Sequence, residues 1–132
     1  MRSIQLAFAL LVISSSSFAQ NTFEMKEGDT TYVMQEYYMV YLIAGENREQ
    51  DSVETAQIQE AHLAHMDRMA IEGYLSIAGP FGDEGDVRGI CIYNTVDLAT
   101  ADSLVKLDPA VQAGRLKVEI RPWWAAKGSV LK

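Results

Sequence analysis

A chain of 132 residues with 18 acidic against 11 basic side chains, and a formal net charge of -7, lacks the positive footprint that nucleic acid or anionic lipid would need. Hydrophobic residues make up 48% of it, enough for one small domain with a single core, yet so small a domain gains from a partner subunit that covers apolar surface. The single cysteine, Cys91, rules out an internal disulfide, so packing must hold the domain together.

Arg2 precedes an apolar run from Ile4 to Ile13, followed by Ser14 to Ser17 and Phe18-Ala19-Gln20. That is the charge, apolar length and small-residue cleavage site of a secretory signal peptide. Residues 1–19 are therefore read as a signal, with a mature chain from Gln20 that is exported to the periplasm or beyond. No membrane anchor is expected, because the apolar run falls short of the about 20 residues that span a bilayer. Residues 20–36 read as an N-terminal hairpin turning at Glu27-Gly28-Asp29. Tyr37 to Ala44, rich in aromatic and β-branched residues, predicts a strand ending at Gly45-Glu46-Asn47.

Asp51 or Ser52 can cap the next helix. Along it, Ile58, His62, His65 and Met69 form one stripe, while Gln57, Glu60, Asp67 and Arg68 lie on the other side. Both histidines thus face the core or a cleft. Gly73 stops the helix, and Tyr74 to Ala78 predicts a short strand running into Gly79-Pro80. After a loop from Phe81 to Asp86 come a strand at Gly89 to Asn94, a helix at Asp97 to Leu107 and a last strand at Leu116 to Ile120. Cys91, between Ile90 and Ile92, reads as a small buried hydrophobe.

From Tyr37 onward the order strand, helix, strand, strand, helix, strand predicts an α+β fold: a ferredoxin-like βαββαβ domain whose antiparallel sheet carries two helices on one face. The other face needs a cover, and a second copy of the same face supplies it, giving a homodimer. Trp123 and Trp124, at the end of the last strand, are expected at that seam.

The run Gln59-Glu60-Ala61-His62-Leu63, then Glu72-Gly73-Tyr74-Leu75 with Ala78-Gly79-Pro80, and Asp108-Pro109-Ala110-Val111-Gln112-Ala113-Gly114 ahead of Pro122-Trp123, resembles the YciI-like (YCII-related) family. The resemblance covers roughly Tyr37 to Trp124, leaving residues 125–132 as a tail. It implies the dimeric α/β barrel fold, a suspected active site at His62 and Asp108, and small cyclic or aromatic compounds as the class of substrate. The export signal, the hairpin and the tail depart from the family's compact members.

A histidine moves protons near neutral pH, and a carboxylate on its second ring nitrogen fixes its tautomer. His62 as general acid or base with Asp108 as its orienting partner suits a lyase or isomerase acting on a small cyclic compound. Asp108 before Pro109 also fits a cap on a short helical turn closed by Gly114, and one carboxylate can serve both roles. Arg88, Gly79, Pro80, Phe81 and His65 are secondary substrate contacts, Arg88 as a holder of a substrate carboxylate or else as a partner of Asp83, Glu84 or Asp86. No cofactor is implied and no metal site, since His62 and His65 lack a third ligand on their stripe. The competing reading is a non-enzymatic protein that uses the pocket for an unknown small ligand or for assembly.

Overall fold

The computed structural model describes residues 19–132, so the signal-peptide reading falls, except for Ala19, outside the described residues. These residues form β1 (Thr22–Glu27), β2 (Thr30–Ala44), α1 (Ser52–Ile71), β3 (Leu75–Pro80), β4 (Val87–Tyr93), α2 (Leu98–Val105), α3 (Pro109–Gln112) and β5 (Leu116–Ala126). Strands β5, β2, β4 and β3 lie side by side in that order, every neighbouring pair antiparallel. This is the ferredoxin-like arrangement that the element order predicts. β1 folds back on the N-terminal arm of β2, from Thr22 opposite Gln35 to Glu27 opposite Thr30, and so adds the hairpin to the sheet.

Alternation along the strands decides which face the helices cover. Tyr38, Val40 and Leu42 of β2 sit opposite Tyr93, Cys91 and Gly89 of β4 and all six are buried. Met69 of α1 with Ala101 and Val105 of α2 closes over them, so both long helices share one face. Cys91 lies within this core at 3% exposure, and burial, with the charge of Asp108 adding to it, pushes its thiol up to about 12. Such a thiol is a packing group and not a nucleophile.

Caps set the helix ends. Asp51 accepts from the Glu54 N–H at 2.8 Å to start α1, and Gly73, at φ +84°, ends it in the left-handed region. Asp97 accepts from the Thr100 N–H at 2.8 Å, which makes it the cap and not the first residue of α2. The expected helix over 97–107 therefore shortens to 98–105, its last expected residues forming the turn that leads to Asp108.

Two strands, β2 and β5, run far past their expected bounds. The second hairpin arm and the strand expected from Tyr37 are one continuous β2, and β5 runs on past Ile120 because β2 extends far enough to pair with it, Met34 opposite Ala126. The boundaries expected at 37 and 124 thus fall inside strands. Pro122 is tolerated within β5 because this is an edge strand whose outer side has no partner among the described residues. Trp123 and Trp124 project to opposite faces, Trp123 against Tyr37 at 6.4 Å between ring centres and Trp124 against Phe23 at 5.0 Å. The helix-free face carries Met39, Tyr41, Ile43, Ile90 and Ile92, with Arg121 over the Tyr41 ring at 5.5 Å.

Candidate functional site

His62 enters the site from the middle of α1 and Asp108 from the cap of α3, two elements that sequence separation alone does not relate. His62 Nδ1 lies 2.6 Å from Asp108 Oδ2, with only 10% and 5% of the two side chains exposed. The other carboxylate oxygen, Oδ1, accepts from the Ala110 N–H at 2.9 Å. Asp108 is therefore a cap and a histidine partner at once. Since a carboxylate oxygen only accepts, Nδ1 carries the hydrogen, and Nε2 is the ring nitrogen left to accept on a residue that lines the cleft.

That cleft has a volume of about 520 Å³. Its wall on the sheet side is Leu42, Gly89 and the Ala78-Gly79-Pro80 end of β3, and Leu63 and Met66 of α1 face it beside His62. Of the secondary contacts expected from the sequence, Arg88, Gly79 and Pro80 line the same cleft as His62. Arg88 makes no ion pair with Asp83, Glu84 or Asp86 among the described residues.

Phe81 and His65 do not line it. Phe81 lies just past the end of β3, where the chain has left the sheet, and is 47% exposed. His65 follows His62 by three residues, which at about 100° per residue turns it about 60° around the helix and into the core. Its Nδ1 accepts from the Arg68 guanidinium at 3.0 Å, because arginine can only donate, which leaves the hydrogen on the buried Nε2. The two histidines thus hold opposite tautomers.

Burial holds His65 below the ordinary histidine range, with Arg68 and His62 acting in the same sense and Asp108 and the Leu104 carbonyl against it. The unfolded chain therefore takes up this proton first as the pH falls. His65 contributes stability that is complete above about pH 6.5, the unperturbed value, and is lost as the pH drops towards its folded value. Urea unfolding of His65→Leu is expected to show a shallower loss between pH 7 and 5 than the unsubstituted protein. The difference in slope can reach about 1.4 kcal/mol per pH unit, and equal slopes would mean that His65 is not held neutral.

Two cleft residues carried no signal in the sequence: Arg48, in the loop after β2, and Arg115, just before β5. The backbone brings them together. Gly45 N–H donates to the Arg115 carbonyl at 2.8 Å and Asn47 N–H to the Gly114 carbonyl at 3.1 Å, while Arg48 Nη1 donates to the Arg115 carbonyl at 2.9 Å. A Cβ on Gly45 would meet the Gly114 oxygen at 2.1 Å, so only glycine permits this approach. Among the described residues no group of three or more His, Cys, Asp and Glu side chains is placed to hold a metal ion. None of their helices is long and apolar enough to cross a membrane.

The YCII-related domain model matches residues 39–124. No curated protein gives a match. Among solved structures the chain is similar to 5-chloro-2-hydroxyhydroquinone dehydrochlorinase of Burkholderia phenoliruptrix in complex with 2,5-dihydroxybenzoquinone. The identity is 20% and the TM-score 0.51, over 66% of this chain and 92% of that one, a likeness of fold.

Proposed function

Because the chain belongs to the YCII-related domain family, we propose that it is an exported acid-base enzyme, a lyase or isomerase of small cyclic compounds, in which His62 moves the proton and Asp108 orients it. The observation that carries this reading is the buried contact of 2.6 Å between His62 Nδ1 and the Asp108 carboxylate beside an open cleft. With Nδ1–H bound to the carboxylate, Nε2 takes a proton from an acidic C–H or O–H of the substrate. The carboxylate stabilises the imidazolium, and Nε2–H then returns the proton to another atom or to a departing group. The related fold of a dehydrochlorinase supports this class of chemistry, since eliminating HCl requires the removal of a proton.

Deuterium exchange tests the reading without a known substrate. Incubated in D2O with 5-chloro-2-hydroxyhydroquinone and a panel of enolisable cyclic ketones and unsaturated lactones, the protein should speed label uptake into at least one. His62→Asn should lower that rate by about 10²–10⁴-fold. Binding of a probe with no exchange above background would instead favour the non-enzymatic ligand-binding protein.

Export rests on the signal-like pattern of residues 1–19, and the periplasm or the medium is the compartment it points to. A homodimer suits the helix-free face, where the side chains of Met39, Tyr41, Ile43 and Ile90 are only partly covered within one chain. Sedimentation of the mature protein is expected to give twice the chain mass, and Met39→Glu, which sets a charge in the middle of that face, is expected to sediment as a monomer. A monomer in both cases would remove the dimer from the proposal.

A further inference from the structure

Residues 19–132 contain five arginines, and three of them, Arg48, Arg88 and Arg115, line the cleft beside His62. Among the described residues no Asp or Glu side chain lines it. In a chain of net charge -7 this sorting makes the cleft a positive site on an acidic protein. The three charges are also unneutralised, since none of the three arginines forms an ion pair among the described residues. Arg115 Nη1 donates to Gln50 Oε1 at 3.0 Å and to Thr55 Oγ1 at 3.4 Å, and Arg48 Nη1 to a backbone carbonyl. These neutral acceptors hold the two side chains in place without cancelling their charge.

Arg88 reaches the cleft from a break in the sheet. Leu42 pairs with Gly89 but Ile43 pairs with Val87, so Arg88 is the extra residue of a β-bulge, a device that re-aims a side chain. Apart from Gln59 and His62 the rest of the wall is apolar, with Leu63, Met66 and Leu116 available to a ring face.

We infer that the cleft selects small ring compounds bearing a carboxylate, held at the carboxylate by Arg48, Arg88 and Arg115 and at the ring by the apolar wall. Guanidinium groups suit this task because they bind planar carboxylates through paired hydrogen bonds. The inference rests on the cleft being the site where His62 works, but the recognition it describes needs no proton transfer.

Calorimetric titration with benzoate and with benzamide, its uncharged counterpart, tests the selection. Benzoate is expected to bind at least about tenfold more tightly than benzamide. Arg88→Gln should erase most of that preference and Arg88→Lys should keep part of it; Arg88 is exposed, so neither change disturbs the core. Equal affinity for the two probes overturns the inference, as does an absence of benzoate binding, or a preference unchanged in both Arg88→Gln and Arg48→Gln. His62→Asn separates the two proposals. It should lose the exchange and keep the benzoate preference. In the unsubstituted protein, a benzoate preference without any deuterium exchange leaves the selection standing and removes the acid-base reading, whereas exchange confined to uncharged probes does the reverse.

Discussion

Asp108→Ala is expected to lower the stability of the protein by about 2–4 kcal/mol at pH 7, read by urea unfolding. Two bonds disappear together. The cap on the Ala110 N–H is worth about 1 kcal/mol, and the charge-assisted bond to His62 about 1.5–3 kcal/mol. His62 is left buried with an unsatisfied Nδ1–H. Asp108→Asn should cost less than half as much, because its amide oxygen can keep the cap. Its NH2 then faces His62 Nδ1 and drives the ring into the tautomer protonated at Nε2, which cannot act as a base. Long-range proton–nitrogen NMR distinguishes the tautomers. If Asp108→Ala costs under 1 kcal/mol, or if His62 keeps Nδ1–H in Asp108→Asn, the pair is not the unit described here.

The same carboxylate illustrates what a sequence can carry. Asp108-Pro109 is visible as a cap because capping is local, a matter of one carboxylate and an amide two residues on. Its bond to His62 spans 46 residues and depends on how α1 and α3 meet, so the residues suggest it only through the order and spacing shared with a family. The α1 stripe was legible for the same local reason, and Met69, His62 and His65 are all buried as it predicts. Its width was not: a stripe describes a face of a helix, and His62 and His65 sit on its two margins, one turned to the cleft and one to the core. Strand lengths were the least legible feature. Where β2 and β5 end is decided by each other, through pairing that runs from Ala44 opposite Leu116 to Met34 opposite Ala126. Arg48 and Arg115 had no periodicity to betray them, since both lie in connections and meet only through backbone bonds.

Those backbone bonds lead to the second large effect. Gly45→Ala is expected to cost stability near the upper end of the range of about 1–3 kcal/mol for overpacking, because the added methyl group would press on the Gly114 carbonyl and on the Arg115 carbon at 2.8 Å. Both are main-chain atoms in a paired region, so no rotamer change relieves the contact. The chain must move, and in moving it stretches the bonds from Gly45 N–H to the Arg115 carbonyl and from Asn47 N–H to the Gly114 carbonyl. Since the Arg115 carbonyl is also what holds the Arg48 guanidinium, the strain passes directly into the cleft. Gly45→Ala should therefore bind benzoate more weakly even at temperatures where it is fully folded. Gly82→Ala is the control: a Cβ there meets nothing within 4 Å, and its stability should stay within about 0.5 kcal/mol of the unsubstituted protein. If urea unfolding puts the two variants on the same curve, the loop after β2 is not clamped on β5. The two arginines would then be free surface side chains and not the prepared end of a binding site.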